Sequence, residues 1–189
     1  MRIPIHAFVA VALATGIPLS AQTRVGQPVV AVFAHPDDER VIGPLLSRLA
    51  REGRETHLVI ATDGAKGVRD FARIPAGPEL AAVRTKEASC AAKRLGVRHL
   101  HLLGLPDGGL ASFDALGKLR SALVAIIDSL GPAAIITFGP EGGTGHPDHR
   151  LVGDVVTDAV NNYRAHAWNG FVWLRPWNGT LRIPGIFRP

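Results

Sequence analysis

The sequence predicts an α/β fold, a Rossmann-like open parallel sheet with helices on both faces. Short, continuously apolar segments alternate along the chain with segments of helical periodicity, and polar loops follow the apolar segments. The length of 189 residues fits one domain of ordinary size. Because ligands bind beyond the carboxyl ends of the strands in such sheets, functional residues are expected in the polar loops.

The predicted strands are short runs rich in β-branched and aliphatic residues. The first, residues 29–33, is apolar throughout and ends at a polar cluster, as is typical of a strand buried on both faces. Apolar residues then recur at helical spacing up to Gly53, which predicts a helix after the first strand. The remaining elements are strands at 57–61, 100–103 and 133–138, helices at 79–95, 116–130 and 147–163, and a candidate strand at 171–174 in a Pro- and Gly-rich tail.

Residues 1–21 predict a secretory signal peptide. Arg2 supplies positive charge, residues 8–13 are almost wholly apolar, and Ser20 and Ala21 are small residues suited to cleavage. The apolar run is too short to span a bilayer, and an N-terminal element of the fold or an uncleaved anchor are the alternatives. We therefore expect an exported protein, periplasmic or extracellular, with its domain in residues 22–189 and no integral membrane segment in the mature chain.

Charge and cysteine content narrow the function classes further. The net charge is +5, but the arginines are scattered and aromatic residues make up 6% of the chain, which argues against nucleic-acid binding. Cys90 is the only cysteine, so no internal disulfide is expected. Its position among alanines predicts a small side chain buried in the core.

One imidazole and three carboxylates follow the first predicted strand in the segment Ala34-His35-Pro36-Asp37-Asp38-Glu39. A divalent cation would relieve the repulsion among these carboxylates. His35 and Asp38 are ligands that suit zinc, and the adjacent Asp37 is placed to serve as a base. The alternative is a solvated cluster that caps the next helix.

A second motif, His146-Pro147-Asp148-His149, follows a Gly-rich loop after the fourth strand. Pro147 in the first helical turn gives the two histidines neighbouring positions, so one can bind metal while the other faces substrate. Two histidines and one carboxylate, with an open position for water, are typical of a catalytic zinc site, although iron, cobalt or nickel also accept such ligands. The alternative is a surface or capping feature.

Together these motifs resemble the PIG-L/LmbE family of zinc-dependent N-acetylglucosamine deacetylases. The resemblance extends from about residue 29 to residue 163. The supporting positions are Gly43, Thr62-Asp63-Gly64, Arg84 with Glu87, Leu95-Gly96 and Leu105-Pro106-Asp107-Gly108.

The resemblance implies a role for each motif residue. His35, Asp38 and His149 would hold one zinc ion per chain. Asp37 would be the general base, and His146 would stabilise the developing oxyanion. The positions implied to contact substrate or shape the pocket are Arg84 and Asp107.

Several of these positions have simpler explanations. Arg84 and Glu87 lie one helical turn apart and could form a surface ion pair. Asp107 lies in a Pro-Asp-Gly turn, which turn chemistry alone can explain. Three histidines in or beside strands, for which the sequence shows no nearby carboxylate partner, are expected to be structural: His57, His99 and His101.

The expected function is therefore a zinc-dependent hydrolase that removes the acetyl group from an N-acetylated sugar or sugar conjugate. The alternatives are a non-catalytic relative that binds metal and sugar, and a hydrolase of another N-acyl conjugate. The resemblance also implies further strands and loops beyond the helix that carries His149, so the short tail predicts a truncated chain, a chain frame-shifted at its end, or a short variant, each with an incomplete pocket wall.

Overall fold

A computed structural model describes residues 26–163 and 171–174 of the chain. The strands are β1 (Val29–Phe33), β2 (Thr56–Thr62), β3 (His99–Leu105), β4 (Ala134–Phe138) and β5 (Phe171–Leu174). They form one sheet in the order β3-β2-β1-β4-β5, and every neighbouring pair is parallel. The predicted α/β class and its parallel sheet are confirmed.

Helices connect successive strands, as the periodicity predicts. They are α1 (Gly43–Arg51), α2 (Pro78–Leu95), α3 (Phe113–Leu130), the short α4 (Gly142–Gly145) and α5 (Pro147–Tyr163). The first predicted helix differs at its start, because a 3₁₀ turn over Asp38–Ile42 precedes α1. Pro44 lies in the first turn of α1, where its missing N–H has no helical partner to lose.

The sheet order reverses at β1, and this reversal positions the functional site. The chain moves outward from β1 through β2 to β3 and then returns to place β4 on the other side of β1. Both β1 and β4 are buried along their whole length. A crevice opens at such a switch point, beyond the carboxyl ends of the two strands. The first sequence motif directly follows β1, and the second follows β4 after the Gly-rich loop.

Two predictions fall on residues that the structure does not describe. The signal peptide at 1–21 lies outside the described ranges, as does most of the Pro- and Gly-rich tail. Among the helices of the described ranges, none is both long enough and apolar enough to cross a membrane.

The predicted burial of Cys90 is wrong, because its side chain is exposed on α2. The buried face of α2 carries Leu80, Arg84, Ala88 and Ala92, which recur every four residues. Since each residue turns a helix by about 100°, Cys90 lies about 200° from Ala88, on the opposite side.

The expectation that His57 and His99 lack a carboxylate partner is also wrong. Glu55 directly precedes β2, and its Oε1 lies 3.2 Å from Nε2 of His57 and 3.2 Å from Nε2 of His99. The parallel register pairs His57 with His99, so residues 42 positions apart in sequence are neighbours across the sheet.

Gly153 allows α5 to approach β4. A Cβ at this position would lie 2.5 Å from the carbonyl oxygen of Phe138. We expect Gly153→Ala to lower the free energy of unfolding by about 1–3 kcal/mol, because the helix or the strand would have to shift. Urea unfolding measures the change.

Gly117 in α3 provides the matched control. Nothing lies within 4 Å of a Cβ built there, and alanine favours a helix interior over glycine by about 1 kcal/mol. Gly117→Ala should therefore stabilise the protein. An equal gain in both variants would contradict the close approach at Gly153.

Candidate active site

Side chains from three loops meet at the carboxyl ends of β1, β3 and β4. His35 and Asp38 follow β1, Asp107 follows β3, and Asp148 and His149 lie in the first turn of α5. Four of these side chains are buried, and Asp38 is nearly so. The loops therefore bring polar groups into one buried cluster, as the positions of the motifs predict.

The three predicted metal-binding residues converge. Nδ1 of His35 lies 3.1 Å from Nε2 of His149. The Asp38 carboxylate lies 3.5 Å from Nδ1 of His35 and 3.3 Å from Nε2 of His149. Tetrahedral zinc with bonds of about 2.0–2.1 Å holds its ligand atoms about 3.3 Å apart. The two imidazole nitrogens are therefore spaced as zinc ligands are, and the Asp38 carboxylate contacts each of them with a different oxygen, Oδ2 towards His35 and Oδ1 towards His149.

Hydrogen bonds on the far sides of both imidazoles set their tautomers. Nδ1 of His149 lies 2.9 Å from the carbonyl oxygen of Gly142, which can only accept, so this nitrogen carries the proton. Nε2 of His35 lies 3.2 Å from Asp107 and 3.3 Å from Asp148, so it donates to carboxylates. In its neutral form each ring then presents a lone pair at the shared centre, where a cation can replace the proton that the ring otherwise shares with Asp38. Such partners orient ligating histidines in metal proteins.

The Gly-rich loop after β4 is needed for this arrangement. Gly142 has a φ of 71°, in the left-handed region that favours glycine. A Cβ there would lie 3.2 Å from Cβ of His149 and 2.8 Å from Cγ of Arg150. Phe138 stacks on the His149 ring, with 4.0 Å between ring centroids. The loop and the strand end thus hold His149 from two sides.

The pKa shifts of His35 and Asp38 indicate that the space between these side chains favours positive charge. Burial by itself lowers the pKa of His35, but hydrogen bonding and charge from Asp38, together with Asp107 and Asp148, raise that pKa above its ordinary value. Burial by itself raises the pKa of Asp38, yet hydrogen bonds from His149 and His35 hold it well below its usual range. A cation would satisfy the same groups.

Asp148 is a site residue that the sequence analysis did not assign. It is buried, it accepts a hydrogen bond of 2.7 Å from the backbone N–H of Gly108, and it contacts Nε2 of His35. In the sequence, its position between His146 and His149 is the feature that could have identified it as a site residue. An aspartate in the first turn of a helix is also expected on helix-dipole grounds alone, which hides this second role.

Asp37 lies beside the centre but outside the set of converging donors. Its backbone has a φ of 96°, and its N–H donates to the buried Glu39 carboxylate at 2.9 Å. Its side chain is 54% exposed and lies 3.0 Å from Nη2 of Arg84. The separation of Asp37 from the three donors agrees with the role predicted for it, and that role stays a prediction.

Arg84 is buried and contacts protein groups on several sides. It donates to the carbonyl oxygens of Gly67, at 2.9 Å, and of Pro36, and it pairs with Asp37. Glu87, the alternative partner, is exposed on α2. Arg84 therefore fixes the direction of the Asp37 carboxylate, and its predicted contact with substrate stays a prediction.

Asp107 also bonds to the protein with both carboxylate oxygens. Oδ2 accepts from the backbone N–H groups of Lys66 and Gly67 at 2.8 and 3.2 Å, and Oδ1 faces His35. The residue thus links the loop after β2 to the centre. This placement agrees with a role in shaping the pocket, while direct substrate contact is untested.

His146 lies at the mouth of the cluster. Its ring centroid is 4.7 Å from that of His35 and 5.0 Å from that of His149. Partial burial lowers the pKa of His146, and the charges of His35 and His149 lower it further. Nδ1 accepts a hydrogen bond of 3.2 Å from the N–H of Asp148, so the neutral ring carries its proton on Nε2. His146 can therefore donate a hydrogen bond without being charged.

Sequence comparison relates the chain to known deacetylases. Residues 30–160 match the PIG-L family, described as GlcNAc-PI de-N-acetylase. The chain is 33% identical over 158 residues to the 1D-myo-inositol 2-acetamido-2-deoxy-alpha-D-glucopyranoside deacetylase of Corynebacterium glutamicum (strain R), covering 74% of this chain and 54% of that protein. It is 34% identical over 135 residues to the probable N-acetyl-alpha-D-glucosaminyl L-malate deacetylase 2 of Bacillus cereus, covering 70% and 60%.

Solved structures share the fold. The N,N'-diacetylchitobiose deacetylase from Pyrococcus horikoshii matches with a TM-score of 0.68 and 25% identity, covering 83% of this chain and 63% of that one. GalB, the 4-carboxy-2-hydroxymuconate hydratase of Pseudomonas putida KT2440, matches with a TM-score of 0.63 and 18% identity, covering 77% and 64%, and shows the fold alone. The chain spans about half the length of the curated relatives it matches first. Since the family match covers most of its residues, the chain belongs to the PIG-L family.

Proposed function

We propose that this protein is a zinc-dependent amidohydrolase that removes the acetyl group from an N-acetylated amino sugar conjugate. One observation carries the proposal: Nδ1 of His35, Nε2 of His149 and the Asp38 carboxylate lie at mutual distances of 3.1–3.5 Å. Two lone pairs and a negative charge at such distances repel one another unless a cation or a proton lies between them.

The reaction breaks the amide C–N bond and adds water, so that acetate and a free amine result. A bound zinc would polarise the amide carbonyl and lower the pKa of the attacking water. Asp37 accepts a proton from that water and returns it to the departing amine. Arg84 orients the Asp37 carboxylate through the 3.0 Å contact between its Nη2 and Oδ2 of Asp37.

His146 stabilises the negative charge that develops on the carbonyl oxygen. The geometry assigns its proton to Nε2 in the neutral ring, because Nδ1 accepts from the backbone of Asp148. A fixed donor aimed at developing charge acts without reorganisation during the reaction. A protonated imidazolium at this position is therefore not required.

The substrate class is supported by the names of the relatives. The Corynebacterium and Bacillus proteins are both named as deacetylases of a conjugate of N-acetylated α-D-glucosamine. We propose a conjugate of the same kind here. GalB is named as a hydratase on the same fold, so an assay must separate amide hydrolysis from other chemistry.

Acetate release from full-length protein tests the proposal. The protein is stripped of metal, reloaded with zinc, and supplied with N-acetylglucosaminides, with matched substrates that carry longer acyl groups, and with N-acylated amines that lack a sugar. We expect equal amounts of acetate and free amine from the glucosaminides, and no product with a chelator present. Sugar binding without turnover would favour the non-catalytic alternative, and preference for another acyl conjugate would overturn the substrate class.

We also propose that residues 1–21 direct export of the protein. The positive start, the apolar run and the small residues at Ser20 and Ala21 support this proposal. Sequencing the N-terminus of protein recovered outside the cytoplasm should then find Gln22 first. Recovery of the intact chain from the cytoplasm alone would contradict export.

A further inference from the structure

A second cluster of side chains that can bind metal lies at the amino ends of β2 and β3, whereas the active site lies at the carboxyl ends of the strands. Glu55 and His57 lie at the amino end of β2, and His99 and His101 lie at the amino end of β3. His57 pairs in register with His99. Alternate residues of a strand share a face, and the contacts among these side chains place all four on one face of the sheet.

The distances within this cluster fit a metal ion. Oε1 of Glu55 lies 3.2 Å from Nε2 of His57 and 3.2 Å from Nε2 of His99. One ligand atom from each of the three residues lies within 4.8 Å of the others. Ligand atoms of tetrahedral zinc are about 3.3 Å apart. Two of the three spacings therefore match without any movement of the backbone.

His101 is placed to orient His57. Its Nε2 lies 3.0 Å from Nδ1 of His57, and the two rings are stacked with 12° between their planes. When His57 donates from Nδ1 to His101, its Nε2 presents a lone pair towards Glu55. A ligating histidine is ordinarily held by a hydrogen bond from its other ring nitrogen in this way.

The exposure of the cluster suits metal entry. The side chains of Glu55 and His99 are 41% and 46% exposed, so an ion and a completing water can reach them. His57 itself is only 4% exposed, which fixes one ligand firmly in the sheet.

The cluster is separate from the active site. His57 lies five residues before Thr62, the last residue of β2. At about 3.3 Å per residue, the strand places the two ends about 17 Å apart. One ion cannot serve both sets of ligands.

We propose that Glu55, His57 and His99 form a second site for a divalent transition metal, with zinc as the ion that fits their spacing. His101 is the positioning residue of this site. The imidazole-rich ligand set also suits nickel or copper. The site does not depend on the function proposed above, because it shares no residue with the active site.

Counting bound zinc in full-length protein tests the proposal. After metal stripping, zinc loading and desalting, we expect two zinc ions per chain in the unmodified protein. His99→Gln and Asp38→Asn should each retain one, and the double variant should retain none. The proposal is overturned if His99→Gln changes zinc content in neither background. If Asp38→Asn alone has no effect, the active-site proposal fails while this one stands.

Exposed side chains provide variants that leave the fold intact. Glu55→Gln should also remove the second ion, whereas Glu52→Gln removes a similarly exposed carboxylate, paired with Arg48, and should change nothing. His101→Gln should weaken zinc binding at this site by about 10- to 100-fold. Equal affinity in the His101→Gln variant would overturn its positioning role, and zinc loss in Glu52→Gln would indicate nonspecific surface binding instead of a built site.

Discussion

Asp38→Asn is expected to remove the active-site metal and to reduce acetate release at least 100-fold. A catalytic metal supplies several kcal/mol of charge stabilisation, and each 1.4 kcal/mol is about tenfold in rate. Asparagine keeps the shape of the side chain and an oxygen that can accept the 2.7 Å hydrogen bond from the N–H of His35. What the variant loses is the negative charge between the two imidazoles.

Zinc content and kcat/KM are measured together for this variant. Zinc is also counted in protein that carries His99→Gln. Because this substitution removes the proposed second ion, the zinc that remains bound is at the active site. Asp114→Asn is the control, because Asp114 is an exposed aspartate that pairs with Lys118 on α3. Retention of both zinc and rate in Asp38→Asn would exclude this carboxylate from the metal site.

The sequence predicts the strand ends and the convergence of His35, Asp38 and His149 because both depend on local patterns. The apolar run at 29–33 marks β1, and His35 and Asp38 follow it directly. The second motif follows the Gly-rich loop after β4, the strand that returns to β1. In a parallel sheet with a switch point, these two positions must be close, so the convergence of the donors follows from order along the chain.

Residues that support the donors depend on contacts that the sequence does not show. Asp148 acts on His35 across 113 positions, and Phe138 is recognised only once its ring is seen against His149. Arg84 pairs with Asp37 instead of Glu87, although Glu87 is nearer in sequence. Helical spacing makes Glu87 available to Arg84, and only tertiary packing shows that Asp37 is the partner.

The histidine cluster and Cys90 show how register and helix phase limit sequence analysis. A shift of one residue between β2 and β3 would place His57 and His99 on opposite faces, and nothing in either strand alone fixes this register. For Cys90, the surrounding alanines indicate an apolar helix. Only the packing of Ala88 and Ala92 decides which side of it is buried.

Asp37→Asn is expected to lower kcat by about 10²- to 10⁴-fold, the usual contribution of a general base. Asparagine is isosteric and tolerates the left-handed backbone that this position requires. It can still accept a hydrogen bond from Arg84, but it cannot take a proton from water. Zinc content should therefore remain unchanged while turnover is lost.

The comparison of Asp37→Asn with Asp38→Asn separates two roles for adjacent carboxylates. Arg84 holds the Asp37 carboxylate at 3.0 Å, whereas Asp38 lies within 3.5 Å of the imidazoles of His35 and His149. If Asp37 were a ligand, Asp37→Asn would lose zinc as Asp38→Asn does. If Asp37 had only a structural role, Asp37→Asn would lower stability without a selective loss of kcat. Loss of kcat with full zinc occupancy and unchanged unfolding is the result expected of a base beside the metal, and it excludes both a ligand and a purely structural role.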